Sequence, residues 1–122
     1  MLILVVDDEP DVIASIRRAL RADTVIGASS ALEAVDILAH EPIDLAFVDW
    51  NLGGTMTGID VGRHAPRRCA LVMVSGYTLK DIRAGWQDPL GGFLEFIEKP
   101  WTLQALRALR DRIEESKEIT KP

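Results

Sequence analysis

Asp7, Asp8, Asp49, Asn51, Ser75 and Lys99 are the residues of this 122-residue chain whose types could do chemistry together. Each lies just past a short apolar run: Asp7 and Asp8 after "LILVV" (2–6), Asp49 and Asn51 after "LAFV" (45–48), Ser75 after "ALVMV" (70–74), and Lys99-Pro100 after "FLEFI" (93–97). A carboxylate at the end of an apolar run is seldom buried unless something pairs with it. Three of them in one place would repel one another and raise the proton affinity of at least one, unless a cation sat among them. A hard divalent cation removes the conflict. Mg2+ prefers carboxylate, carbonyl and water oxygens and binds near phosphate, whereas no His or Cys here is placed to suit zinc. Lys99 adds a point charge able to meet a phosphoryl oxygen, and Ser75 adds a hydroxyl donor. These are the parts of a phosphoryl-transfer site, where positioning and charge neutralisation do most of the work. A separate nucleophile is missing, but an Asp carboxylate can itself attack phosphorus. Asp49 is the central carboxylate that shares its run's end with no other.

That chemistry requires the run ends to meet at one edge. Continuous apolar runs read as strands covered on both faces, the pattern of a parallel sheet between helices. The weaker "TVIGA" (24–28) makes a fifth run. Between the runs the period becomes helical. Val12, Ile13, Ile16 and Leu20 share one face over 11–22, with Pro10 at the first turn, where no amide donor is missed. Ser30 and Glu33 form a capping-box pattern before Ala34, Val35 and Leu38. Residues 58–65 allow only a short third helix, closed by Pro66. Leu79, Ile82 and Trp86 mark a fourth helix, and Leu103, Leu106, Leu109 and Ile113 a fifth, capped by Thr102. The order is β-α five times, and right-handed crossovers make one open parallel sheet between two helical layers. In such sheets ligands bind beyond the carboxyl ends of the strands, where the strand order reverses.

Composition narrows the function classes. The length suits one domain, 1–122, with the charged tail over about 114–122 read as either a fraying helix end or a linker. Hydrophobic residues are 48% and charged residues 27% of the chain, the balance of a globular domain. No apolar stretch approaches a membrane span, and Met1 leads straight into the first run without the charged lead-in of a signal peptide, so the expectation is a cytoplasmic protein with no membrane insertion. Cys69 is the only cysteine, which excludes an intrachain disulfide and a thiolate metal site. A net charge of −5 and scattered arginine pairs argue against direct nucleic-acid binding.

Taken together, "LVVDDEP", "VDWN", "VMVSGY" and "FIEKPW" resemble, in order and type, the signature segments of the response-regulator receiver domain, the phosphoacceptor module of two-component and phosphorelay signalling. The resemblance covers essentially the whole chain. It implies the flavodoxin-like (βα)5 sandwich with strand order 2-1-3-4-5. It gives Asp49 the phosphoacceptor position, and Asp8, Asp49 and the Asn51 carbonyl the Mg2+ (or Mn2+) positions, with Asp7 acting through water. Lys99 takes the position that contacts the incoming phosphoryl group, Ser75 that of the switch hydroxyl and Phe96 that of the switch aromatic. The Lys99-Pro100 peptide is commonly cis in the family. The implied activity is regulatory: the domain assists its own phosphorylation and dephosphorylation and is not an enzyme acting on others. The implied donor is a sensor histidine kinase or phosphotransfer protein, and the output is a changed surface of helix 4, strand 5 and helix 5, read by a target protein or a fused output domain. The chain departs from the family in "NLGGTMTGID", which has Gly53 and Gly54 in place of a proline and one extra residue before Gly58, and in a third helix shortened by about a turn.

Two other readings remain. One is a Mg2+-dependent phosphohydrolase working through an aspartyl phosphate, which would want an acid/base carboxylate soon after the nucleophile, where this chain has Asn51. The other is an interaction module that works without phosphorylation. Uptake of a phosphoryl group on Asp49, without turnover of a phosphate ester, separates the switch from both.

Overall fold

The computed structural model of the chain describes residues 1–50, 52–54, 56–76 and 93–120, with 93–96 and 118–120 described by main chain alone. Five parallel strands, β1 (Leu2–Val6), β2 (Thr24–Ala28), β3 (Leu45–Asp49), β4 (Ala70–Ser75) and β5 (Phe93–Glu98), form one sheet in the order β2-β1-β3-β4-β5. This is the expected flavodoxin-like α/β fold. The described helices are α1 (Pro10–Ala19), α2 (Ala31–His40), α3 (Gly58–Arg63) and α4 (Leu103–Thr120), and the helix expected around Leu79, Ile82 and Trp86 lies outside the described residues.

Alternation along the strands sorts side chains to two faces, because successive Cβ atoms point to opposite sides of a sheet. Leu4, Val6, Ala46, Val48, Leu71 and Met73 pack with Ala34 and Leu38 of α2 and Ile59 and Val61 of α3. Ile3, Val5, Leu45, Phe47, Val72 and Val74 pack with Ile16 of α1 and Leu106, Leu109 and Ile113 of α4. The continuous apolar runs therefore reflect two opposed cores, each fed by every second residue.

The helix ends follow local chemistry with two adjustments. The Ser30 hydroxyl accepts from the Glu33 amide at 3.2 Å, but Glu33 reaches back to the amide and hydroxyl of Ser29, one residue earlier than a capping box on Ser30 would have it. A complete box forms instead at α3, between Thr57 and Asp60. Helix α1 stops at Ala19, short of the expected 22, where the Leu20 amide closes on the Ile16 carbonyl. Helix α3 has six residues, in line with its early stop before Pro66. The Thr102 hydroxyl accepts from the Ala105 amide at 3.0 Å and caps α4. That helix runs through the charged tail as far as Thr120.

Candidate functional site

The sheet reverses direction of strand addition between β1 and β3, which places the crevice for a ligand at their carboxyl ends. Val6 pairs with Val48 there, so the next residues, Asp7 and Asp49, lie side by side one strand spacing apart. Oxygens of Asp7, Asp8 and Asp49 can all lie within 4.8 Å of one another. Asp7 and Asp49 are 2% and 6% exposed, so two carboxylates are carried into low-dielectric surroundings, while Asp8 faces solvent.

Lys99, entering from the end of β5, is the cation that makes this tolerable. Its Nζ lies 3.0 Å from Asp7 Oδ2 and 3.5 Å from Asp49 Oδ2. Burial by itself would depress the Lys99 ammonium, but the hydrogen bond to Asp7 and the charges of Asp49, Asp7 and Glu9 outweigh it and hold the pKa above 10.5. A backbone bond fixes where Lys99 sits, its amide donating to the Ser75 carbonyl at 2.7 Å. The Lys99-Pro100 peptide bond is cis. Three carboxylates against one ammonium leave two negative charges, and a hard divalent cation matches that deficit and the all-oxygen donor set. The residues present therefore fit Mg2+.

A profile described as the response regulator receiver domain matches residues 3–111. The chain belongs to that family. Solved structures agree with the assignment. A CheY-like receiver domain protein from Methanospirillum hungatei is 25% identical, with 98% of each chain covered and a TM-score of 0.81. A receiver domain protein from Clostridium thermocellum is 27% identical over 98% of each chain, with a TM-score of 0.76. NtrX from Brucella abortus matches at a TM-score of 0.83 and 25% identity over 97% of this chain, but this chain spans only 28% of that protein. The search of curated proteins gave no match.

As a receiver domain the chain falls within two-component signalling, where such domains are generally regulatory and are served by histidine kinases. The pocket of Asp7, Asp8 and Asp49 is consistent with phosphoacceptor signalling and could hold a metal ion. Among the described residues no helix is long and apolar enough to cross a membrane. The geometry brings together Asp7, Asp8, Asp49 and Lys99. Ser75 is buried at the last position of β4, one step beyond Val74, the register partner of Asp49. Asn51 and the side chain of Phe96 lie outside the described residues.

Two features of this receiver domain went unread in the sequence. Asp23, in the turn before β2, is a partly buried residue with a largely covered side chain, and it accepts a two-pronged pair of bonds from Arg110 of α4, both at 2.7 Å, together with one from the Met1 amino group at 2.9 Å. The partners are 87 residues apart, and no local pattern joins them. Gly58 is the other. It read as the start of a short helix, whereas its main chain rests directly against Asp49, a contact only the tertiary arrangement reveals.

Proposed function

We propose that the chain is a phosphoacceptor switch in which Asp49 takes a phosphoryl group from a phosphohistidine of a sensor histidine kinase or phosphotransfer protein, or from a small acyl phosphate. The observation that carries the proposal is the convergence of three carboxylates and the Lys99 ammonium at the β1/β3 switch point. An Asp49 oxygen attacks phosphorus and the bond from phosphorus to the donor's nitrogen or oxygen breaks; a histidine leaves as imidazole, taking a proton from solvent, and an acyl phosphate leaves its carboxylate as the anion. Mg2+ or Mn2+, held by Asp7, Asp8, Asp49 and the Asn51 carbonyl, would supply the neutralisation that lets an anionic acceptor meet an anionic phosphoryl group.

Lys99, already within reach of Asp49, follows the new phosphoryl oxygens with its ammonium. The Ser75 hydroxyl donates to another of those oxygens. Movement of Ser75 frees space for Phe96 to turn inward, which alters the surface formed by the helix expected around Leu79, Ile82 and Trp86, by β5 and by α4, the surface that a target protein or a fused output domain reads. Residues 1–122 act as one receiver domain, regulatory rather than enzymatic and cytoplasmic. Continuity of a single sheet with both its cores supports that unit.

Intact-mass spectrometry with acetyl phosphate and Mg2+ tests the proposal. One phosphoryl adduct is expected on the wild type and none on Asp49→Ala. An adduct that survives in the variant, or a wild type that takes up none, overturns it.

A further inference from the structure

The main chain of Trp50, directly after Asp49, is pinned from two sides. The Trp50 amide donates to the Val74 carbonyl of β4 at 2.9 Å, and the Trp50 carbonyl accepts from the Gly58 amide at 3.4 Å. The Asp49 carbonyl itself faces the bare Cα of Gly58. A Cβ on that residue would sit 2.4 Å from the Asp49 oxygen, 3.2 Å from its carbonyl carbon and 3.2 Å from Val48 Cγ1. Ordinary contact begins near 3.4 Å, so about 1 Å would have to open. The nearest obstructing atom, the Asp49 carbonyl oxygen, is backbone and cannot swing aside.

The other side of the contact is also stiff. The Thr57 amide donates to Asp60 Oδ2 at 2.8 Å and the Thr57 hydroxyl accepts from the Asp60 amide, which locks the first turn of α3. Buried Ile59 and Val61 fix that turn on the sheet. A strand end held by β4 and a helix start held by its own capping box thus meet at a point where only hydrogen fits. Gly27 offers a contrast of place: a Cβ there would meet Ile13 Cγ2 at 2.7 Å, a side-chain atom of α1 rather than the backbone of the acceptor, so crowding at Gly27 does not press on Asp49.

We propose that Gly58 is a positioning residue for the acceptor: its missing side chain seats α3 against the Asp49 carbonyl, and that seat sets the approach of the Asp49 carboxylate to the phosphoryl donor. The inference rests on the phosphoacceptor reading of Asp49. A displacement of about 1 Å at a reacting group is enough to slow a reaction by about 100-fold.

The test measures the rate of phosphorylation by acetyl phosphate with Mg2+, together with the urea midpoint. It uses wild type, Gly27→Ala, Gly58→Ala, Thr57→Gly and the Thr57→Gly/Gly58→Ala pair. Gly58→Ala is expected to slow phosphorylation about 100-fold, with Gly27→Ala and Thr57→Gly within about threefold of wild type. Loosening the α3 cap in the pair is expected to recover at least about tenfold in rate while lowering the midpoint further, opposite movements that a purely structural role would not give. Should Gly58→Ala be unfolded in buffer, the comparison is made for all five proteins in trimethylamine N-oxide, which favours the compact state without opening the contact. Gly58→Ala reacting within threefold of wild type, or a pair no faster than Gly58→Ala, overturns the inference and leaves the phosphoacceptor reading standing. Absence of any adduct on wild type overturns both.

Discussion

Replacing Asp23 by Ala should cost far more stability than removing an exposed surface charge. Asp23 has a side chain only 3% exposed, and it accepts from both Nε and Nη2 of Arg110 at 2.7 Å, the paired geometry in which guanidinium and carboxylate interact most strongly. Removing one partner of a buried pair costs about 3–5 kcal/mol, because the other charge is left behind. Here Arg110 is 17% exposed and keeps Glu114 at 2.8 Å and Asp111 at 3.0 Å, which places the expected loss at the low end, about 3 kcal/mol. With a urea slope of about 2 kcal/mol/M, the midpoint falls by about 1.5 M. The thermal midpoint falls by roughly 10 °C. The pH profile supplies a second constraint. Arg110, against the opposing effect of burial and with help from the Met1 amino group, holds the Asp23 carboxyl below its ordinary 3.8. A carboxyl lowered on folding contributes stability that is fully present above the unfolded value and disappears as pH falls through the folded one. The gap between wild type and Asp23→Ala should therefore be constant above pH 5 and shrink below 3.8. Urea unfolding followed by circular dichroism at several pH values measures both. A midpoint within 0.3 M of wild type at pH 7, in a scale where about 1.5 M is expected, or a gap unchanged at the acid end, refutes the reasoning.

Lys99→Met should leave the buried Asp7 and Asp49 carboxylates without their ammonium. In chelator its urea midpoint is expected below that of wild type, with millimolar Mg2+ closing much of the gap, and phosphorylation by acetyl phosphate should slow by about 10²–10³. Because the Lys99 pKa is raised on folding, its contribution is complete below 10.5 and is lost as pH climbs through the folded value, so the difference between the two proteins should fade only in strong alkali. Burial raises the Cys69 thiol to about 11, so iodoacetamide at pH 8 should label it slowly in the folded protein and rapidly in urea, as mass spectrometry will show.

Much of the fold was legible because its physics is local or periodic. Strands covered on both faces must be apolar throughout, and β1, β3 and β4 read directly from their runs. "TVIGA" read more weakly because β2 is an edge strand whose Thr24 is exposed and whose Gly27 has no side chain to bury. The cap at Ser30 was visible as a residue type, yet Glu33 closing on Ser29 depended on how the chain enters α2. The end of α1 was overestimated since Leu20 keeps the apolar period even as the backbone leaves the helix.

By itself the sequence determined a parallel five-stranded sheet whose carboxyl ends carry Asp7, Asp8, Asp49, Ser75 and Lys99, because residue type and distance from a strand end are written along the chain. Tertiary structure decided which of these groups touch. The register of Val6 with Val48 brings the carboxylates abreast, and the path of β5 delivers the Lys99 ammonium between Asp7 and Asp49. It alone decided the clamp of Arg110 on Asp23 and the contact of Gly58 with the Asp49 carbonyl. Both join segments by shape and charge at ångström range, and neither leaves a periodic trace in the sequence from which it could be read.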